Sequence, residues 1–204
     1  MRYLPILLFI LFGCGQQTNT NGRQESTNEV TSETQKELCA SVDSIGLRNY
    51  ADFDELNQSS TGKITYNQLD SSQQNVVQQG VCQLQLKIKN GQYDDLLRFP
   101  ITGGCLRGMV GVQDYSNDPI LNGEIDGLAS KTFDADLINK ISNSKPWKVE
   151  LYVDKVSKTV SGLTFTIVED NGETDEFGEI TFTKFYIFQR FREGFFLTAV
   201  LCAG

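Results

Sequence analysis

The sequence predicts a single α+β domain built mainly on antiparallel β structure, as an open sheet, a sandwich or a barrel. Apolar and polar residues alternate in several short segments, which is the period of a strand with one buried face. Turn residues separate these segments closely enough for neighbouring strands to pair as hairpins. Apolar residues recur at helical spacing at the start of the domain and again between the two groups of strands, which predicts an N-terminal helix and one intervening short helix.

The predicted globular domain covers residues 34–204 and begins with a helix. Ser32 and Gln35 have the spacing of a capping box, and apolar residues follow at helical intervals as far as Ile45. A second short helix is expected around Phe53, because apolar residues continue there at steps of three. We expect the apolar faces of both helices to contribute to the core.

Four strands are predicted in the first half of the domain, at residues 63–68, 81–89, 96–101 and 105–112. In the second of these, every other residue from Cys82 to Ile88 is apolar and the residues between them are Gln or Lys. This pattern favours an antiparallel sheet with one face in water. Asn90-Gly91 follows directly and is typical of a type I′ hairpin turn.

The second half opens with a polar stretch, residues 113–130, which is long for a loop and is therefore either a flexible excursion or a functional one. A short helix over residues 133–141 follows, with Thr132 or Asp134 as its N-cap. The sequence then predicts a C-terminal four-stranded antiparallel meander with a tight turn around Gly194. Its strands are residues 148–156, 162–168, 180–191 and 195–202.

Aromatic residues are concentrated in this predicted meander. On the strand at residues 180–191 they occur on both sides, with Tyr186 and Phe188 on one side and Phe185 and Phe191 on the other. A sheet with one face in water does not need this arrangement. Either a helix or second sheet covers the outer face, or the strand curves around an apolar cavity that could hold a lipid.

Two groups of carboxylates could carry chemistry. The acidic residues between Glu169 and Glu179 are dense enough to hold Ca²⁺, but their spacing is not that of an EF-hand, and a solvated hairpin loop is the alternative. A second group could supply the two carboxylates of a glycan hydrolase, a reaction that needs no histidine. Its members are Asp114, Asp118, Glu124 and Asp126.

The composition excludes several classes of function. The formal net charge is −8 and Lys and Arg form no dense cluster, which argues against binding to nucleic acid or to anionic lipid by charge. The chain has no histidine, which excludes Ser-His-Asp and Cys-His catalysis and the histidine-bearing zinc and iron sites. We therefore assign no catalytic residue, no metal ligand and no cofactor, and do not expect an enzyme.

The first residues have the form of a secretion signal. Their apolar run, residues 4–12, is too short for a bilayer core that needs about 20 helical residues, and it suits the core of a signal peptide. Leu11, Gly13 and Cys14 follow the lipobox pattern, and in these residues the chain resembles the bacterial lipoproteins. The resemblance implies that residues 1–13 are removed and that acyl chains on Cys14, palmitate among them, anchor the protein to a membrane.

Residues 14–33 are expected to form a disordered tether, because they include almost no aliphatic side chains to bury. A flexible segment of this length spans roughly 24 Å on average, which holds the domain clear of the membrane. Gly15 stands where many lipoproteins of the inner membrane have aspartate. The resemblance therefore implies the bacterial cell envelope and, in a cell with two membranes and a periplasm, the outer membrane.

The remaining cysteines form an even set, which in an exported protein suggests two disulfides with three possible connectivities. Four free thiols are the alternative. The predicted elements place Cys39 and Cys82 on apolar faces, which favours a Cys39–Cys82 bond and leaves Cys105 to pair with Cys202.

The sequence thus predicts a non-catalytic, membrane-anchored envelope lipoprotein that binds or scaffolds a protein or cell-wall partner. A carrier of an apolar ligand or lipid, held in an aromatic-lined cavity, is the alternative function. A carboxylate-based hydrolase acting on glycans is a second alternative.

Overall fold

The computed structural model describes residues 39, 53–114, 116, 118–121, 123–175 and 178–203 of the 204-residue chain. The expected signal peptide, the tether and all of the first predicted helix except Cys39 lie outside these residues. The helices in the described part are α1 (Phe53–Ser59), α2 (Ser71–Lys89), α3 (Gly104–Met109), α4 (Leu128–Thr132) and α5 (Ala135–Ser142). The strands are β1 (Ser60–Ile64), β2 (Glu150–Asp154), β3 (Val160–Asp175), β4 (Gly178–Phe191) and β5 (Gly194–Ala203).

The five strands form one antiparallel sheet in which each strand pairs with its neighbour in sequence, in the order β1-β2-β3-β4-β5. The α+β class is therefore confirmed. Strands β2 to β5 are the predicted meander, and β1 adds a fifth strand beside β2. Phe191 pairs with Gly194, so Arg192 and Glu193 form the two-residue turn between the last two strands.

The strand predicted at residues 81–89 is wrong, because this segment is the second half of α2. Val77, Val81, Leu84 and Ile88 are buried at steps of four, three and four, which is the period of one helix face. The apparent alternation arose because the glutamines between these residues occupy both the flanks and the exposed face of the helix. Helical and strand periods coincide over so short an apolar segment.

Both ends of α2 have defined caps. The Asp70 carboxylate accepts a hydrogen bond from the backbone N–H of Gln73 at 2.8 Å, as an N-cap does. At the other end Gly91 adopts a left-handed conformation with φ +67°, and the N–H of Gln92 donates to the carbonyl of Lys87 at 2.9 Å. This is a Schellman C-cap. The Asn-Gly pair therefore ends a helix, and the predicted hairpin turn is wrong.

Two other predicted strands in the first half are also wrong, and one is displaced. Residues 105–112 contain α3, in which Leu106 and Val110 are buried one helical turn apart. Residues 96–101 follow a 3₁₀ turn and contribute only a single bridge at Ile101. The segment 63–68 contains the end of β1 and a 3₁₀ turn.

The helix predicted at residues 133–141 is confirmed as α5. Of the two N-caps considered, Asp134 is the one used, since its carboxylate accepts a hydrogen bond from the N–H of Leu137 at 2.8 Å. Leu137 and Ile141 lie one turn apart and are fully buried. The helix packs through them against α2 and β3.

The inner face of the sheet packs against α2 and α5 in one continuous hydrophobic core. Buried aliphatic and aromatic side chains from β2 to β5 form the sheet side of this core. They are Leu151, Val153, Val160, Leu163, Phe165, Tyr186, Phe188, Phe195, Leu197 and Val200.

Helix α1 covers part of the outer face. Its Phe53 and Leu56 pack on Ile187 of β4 and Ala199 of β5. The adjacent Phe188 belongs to the inner core, so β4 is apolar on both sides at this point because helices lie on both faces. Of the two explanations for aromatic residues on both sides of this strand, a covering helix applies here.

Two short bridges extend the sheet beyond β5. Thr102 donates its N–H to the carbonyl of Thr198 at 2.8 Å and accepts from the N–H of Val200 at 3.0 Å. Ile101 exchanges two backbone hydrogen bonds of 2.9 Å with Ile120. We call this arrangement the edge extension. It also brings part of the predicted polar excursion, residues 113–130, against the sheet.

Gly103 allows the chain to approach β5 this closely. Its φ is +141°, which L side chains rarely adopt, and a Cβ atom would overlap the carbonyl oxygen of Val200. Helix α3 begins at the next residue, so Gly103 also sets the direction in which that helix leaves the sheet.

The described cysteines form two disulfides, Cys39–Cys82 and Cys105–Cys202, with Cα–Cα distances of 5.7 and 5.6 Å. This is the connectivity that the sequence favours. The first bond attaches Cys39 to α2, and the second joins α3 to the end of β5. The bonded residues are 43 and 97 positions apart, and closing loops of that length in the unfolded chain is worth about 4 to 5 kcal/mol each in the chain-entropy model.

We expect Gly103→Ala to lower the free energy of unfolding by about 3 kcal/mol or more, because the added methyl group combines a disfavoured φ with a clash against Val200. Gly111→Ala is the matched control. Its φ is also positive, at +80°, but a Cβ there has open space, so its cost should be about 1 kcal/mol. Urea denaturation of both variants measures the difference. Equal losses would contradict the close contact at Gly103.

Candidate functional site

The edge extension and the end of β4 enclose a hollow on the outer face of the sheet, which we call the aromatic hollow. Its volume is about 700 Å³, within the usual range of roughly 300–1,000 Å³ for small-molecule sites. It is lined by Phe53, Phe99, Pro100, Thr102, Pro119, Leu121, Glu124, Gln189, Phe191 and Thr198.

Four of these residues face the hollow because of strand alternation. Pro100 and Thr102 lie on either side of Ile101, which points into the inner core. Pro119 and Leu121 flank the second buried isoleucine of the edge extension in the same way. Proline has no N–H, so neither Pro100 nor Pro119 can donate a backbone hydrogen bond to a further strand. The hollow beside them therefore stays open.

The aromatic wall is a packed cluster. The rings of Phe99 and Phe191 stack with their centroids 3.8 Å apart and an interplanar angle of 4°. Both rings meet the buried Phe196 edge to face, at 5.3 and 5.8 Å. Lys87 and Arg98 lie over the ring of Phe196, at 5.9 and 5.3 Å from its centroid, and neither lines the hollow. Phe196 therefore supports the rings of Phe99 and Phe191 on the side away from the hollow.

Four polar residues complete the lining, and one of them is Thr102 of the edge extension. Gln189 and Thr198 come from β4 and β5 and are 1% and 5% exposed. The Thr198 hydroxyl has no hydrogen-bond partner among the described residues. Glu124 is exposed at the rim, where its carboxylate accepts a hydrogen bond from the N–H of Leu121 at 3.2 Å. The hollow therefore combines apolar walls with a few polar groups, one of them acidic.

A second hollow of about 680 Å³ lies between α3 and the β3–β4 pair. The Cys105–Cys202 disulfide and Met109 line one side of it, and Glu169 and Lys184 line the other. These two charged side chains form an ion pair with each other. Because its charges are already matched, this second hollow offers less for recognition than the aromatic hollow does.

Two of the carboxylates considered for a glycan hydrolase lie close together at the surface. Asp114 and Asp118 are both exposed, and their Oδ2 atoms lie 3.1 and 3.2 Å from the hydroxyl of Ser116. The N–H of Ser116 contributes most to lowering the pKa of Asp114, and the Ser116 hydroxyl and the charge of Arg107 lower it further. A general acid needs the opposite shift.

The other two carboxylates of that group lie elsewhere. Glu124 is at the rim of the aromatic hollow, and Asp126 is exposed. Sequence proximity therefore grouped four acidic residues that do not share one site.

The acidic segment at residues 169–179 belongs to the two longest strands of the sheet. Thr174 pairs with Glu179 and Asp175 with Gly178, so most of the predicted loop is a paired hairpin. Residues 176 and 177 are outside the described part. Within the residues that are described, no group of three or more Cys, Asp or Glu side chains could hold a metal ion.

No protein-family model, curated protein or solved structure matches the chain. None of the described helices has both the length and the hydropathy needed to cross a membrane. We therefore infer function from the residues and geometry of this chain alone.

Sequence reasoning did not find the aromatic hollow. It identified Phe191 as part of an aromatic-rich strand, but it assigned no role to the two Pro-Ile pairs at residues 100–101 and 119–120. These pairs were the available signal, since a proline before an aliphatic residue is typical of an extended edge segment with one buried side chain. That the two segments pair with each other could not be read from their local sequence.

Tyr186 contacts Met109, which lines the second hollow, and it provides a test of the packing beneath that hollow. It is fully buried, and its hydroxyl makes only a weak contact with the Met109 sulfur at 3.9 Å. Burial is the main reason that its pKa lies well above the usual value, and the charges of Asp134, Glu169 and Asp136 add to the shift.

We expect Tyr186→Phe to reduce the loss of stability at alkaline pH. The folded pKa is raised, so the unfolded chain loses the proton first, and the free energy of unfolding falls as the pH rises above about 10. Phenylalanine has no hydroxyl proton to lose, so the variant lacks this pH-dependent loss of stability, which approaches about 1 kcal/mol at pH 11. Unfolding measured at pH 8 and pH 11 tests this. Identical pH dependence in variant and parent would show that the Tyr186 hydroxyl is not sheltered.

Proposed function

We propose that this chain is a lipid-anchored protein of the bacterial cell envelope that acts as a binding module and not as an enzyme. The lipobox residues that end at Cys14 support the anchor, and Gly15 after it favours the outer membrane. The two disulfides are consistent with an oxidising compartment outside the cytoplasm. The acidic composition leaves the acyl chains as the means of attachment.

The available side-chain chemistry favours binding over catalysis. The chain has no histidine to act as a general base. Asp114 and Asp118 are exposed, and the lowered pKa of Asp114 suits a permanent carboxylate and not a proton donor.

The observation that carries the proposal is the aromatic hollow. Its walls are fixed by backbone hydrogen bonds at Thr102 and Ile101 and by the ring stack of Phe99 and Phe191, so the site is formed before any ligand arrives. A protein or cell-wall partner could place an apolar group in it. Carriage of a free apolar ligand is the second candidate function, and the volume of the hollow favours it.

We expect Cys14→Ser to abolish the anchor, because serine offers no thiol for acylation. In the parent chain, intact-mass analysis should show loss of residues 1–13 and the added mass of acyl groups, and the protein should be in the membrane fraction. The Cys14→Ser chain should lack these groups. Gly15→Asp is the matched control, which should keep the acyl groups and move to the inner membrane. A parent chain without acyl groups would overturn the anchor.

Photo-crosslinking in native cells tests the binding surface. A photoreactive residue at Leu121, which is 51% exposed beside the hollow, should capture a discrete partner or ligand. The same residue at Val168, which is 62% exposed on β3 and does not line the hollow, is the matched control. The proposal requires that Phe191→Leu reduce capture at Leu121. Equal capture at both positions would contradict a specific site.

A further inference from the structure

We propose that the aromatic hollow binds a small apolar ring compound that is uncharged or cationic, and that it discriminates against anions such as fatty acids. This inference rests on the proposed function only in taking the hollow as the binding site. It specifies the class of ligand from the shape, the charge and the polar groups of the lining.

The shape of the hollow suits a compact, flat ligand. Phe99 and Phe191 present a stacked pair of rings, and Pro100 and Pro119 add two more rigid surfaces. Aromatic rings stack or meet edge to face on such surfaces and gain more than their buried area alone provides. A flexible acyl chain gains no comparable ring contacts and loses more conformational freedom on binding.

The charge of the lining disfavours an anionic ligand. Glu124 is the one ionisable residue that lines the hollow in the described part of the chain. The nearby cations Lys87 and Arg98 are directed to the ring of Phe196 and do not line the hollow. The chain as a whole carries a net charge of −8, which adds to the repulsion of anions. A cation meets both a carboxylate and aromatic faces, which attract it.

The exposed polar group of the lining indicates where a heteroatom of the ligand would lie. The Thr198 hydroxyl is buried away from the hollow, so a ligand does not reach it. Glu124 is exposed at the rim, and its carboxylate can accept a hydrogen bond from an O–H or N–H group of the ligand. A ring compound with a hydroxyl or an amine therefore suits the hollow better than a pure hydrocarbon does.

Three indole compounds with the same ring and a two-carbon side chain test the charge preference. Tryptophol is neutral, tryptamine is cationic and indole-3-acetate is anionic. Saturation-transfer NMR on the full acylated chain in lipid nanodiscs, with empty nanodiscs as the blank, gives the three dissociation constants. We expect tryptophol and tryptamine to bind and indole-3-acetate to bind at least about fivefold more weakly, as one carboxylate within several ångströms requires.

Four variants separate the contributions. Glu124→Gln keeps the shape and the hydrogen-bond acceptor, and it should bring indole-3-acetate to within about twofold of tryptophol. Leu121→Ala should weaken the binding of all three compounds, and Val168→Ala, at an exposed apolar residue that does not line the hollow, should change none. Thr198→Val should change the binding of none of the three, because the Thr198 hydroxyl is buried away from the hollow and valine keeps the shape of the side chain.

Indole-3-acetate binding as tightly as tryptophol would overturn the charge preference. Binding that Leu121→Ala leaves unchanged would overturn the location. If none of the three compounds binds to a chain whose Cys14 is acylated, this inference fails and the anchor stands. If a chain without acyl groups binds the three compounds with the expected order of affinities, the inference stands and the proposal of a lipid anchor at Cys14 is contradicted.

Discussion

Two backbone hydrogen bonds at Thr102 hold together the parts of this molecule that form the aromatic hollow. They join an otherwise irregular segment to the edge of β5, at 2.8 Å to Thr198 and 3.0 Å from Val200. Through Ile101 the same segment holds Ile120, so two one-residue bridges act as further strands of the sheet. Gly103 then turns the chain into α3, which the Cys105–Cys202 disulfide fixes to the end of β5.

This attachment also protects an edge of the sheet that would otherwise be exposed. A strand such as β5, with buried side chains along most of its length, would otherwise present unpaired backbone groups to other chains. The edge extension pairs part of that edge, and Pro100 and Pro119 lack the N–H that a further strand would need. The residues that close the edge also form walls of the aromatic hollow, so edge protection and the shape of the hollow depend on one set of contacts.

The parts of the fold that the sequence predicted correctly have an unambiguous local signal. In β3, Leu163, Phe165 and Ile167 alternate with smaller or polar residues, and β4 and β5 are long apolar-rich segments on either side of a tight turn. Helix α5 has a cap at Asp134, with Leu137 and Ile141 one turn apart. Helix α2 was mistaken for a strand because Gln and Lys separate its apolar residues in a way that fits both periods over residues 81–89. The N-cap residue of this helix, Asp70, precedes a segment whose polar composition does not predict a buried helix.

The candidate site was less predictable because it depends on pairing between distant segments. Local sequence indicated that aromatic residues fall on both sides of β4, and it offered either a covering helix or a cavity. Both occur, since α1 covers Ile187 and the aromatic hollow adjoins Phe191 on the same face. Which alternative applies at each residue depends on where residues 99–102 and 119–121 attach, and that is set by the burial of Ile101 and Ile120 in the inner core.

The edge extension is a stable part of the sheet, and the hollow is therefore formed before any ligand binds. Amide hydrogen exchange at Thr102 and Val200 measures this directly, because each N–H donates one of the two bonds. The structure predicts that both amides exchange as slowly as those in the centre of the β4–β5 pair. Exchange at Thr102 and Val200 as fast as in the exposed loop around Glu124 would show that the hollow is not formed in the free protein.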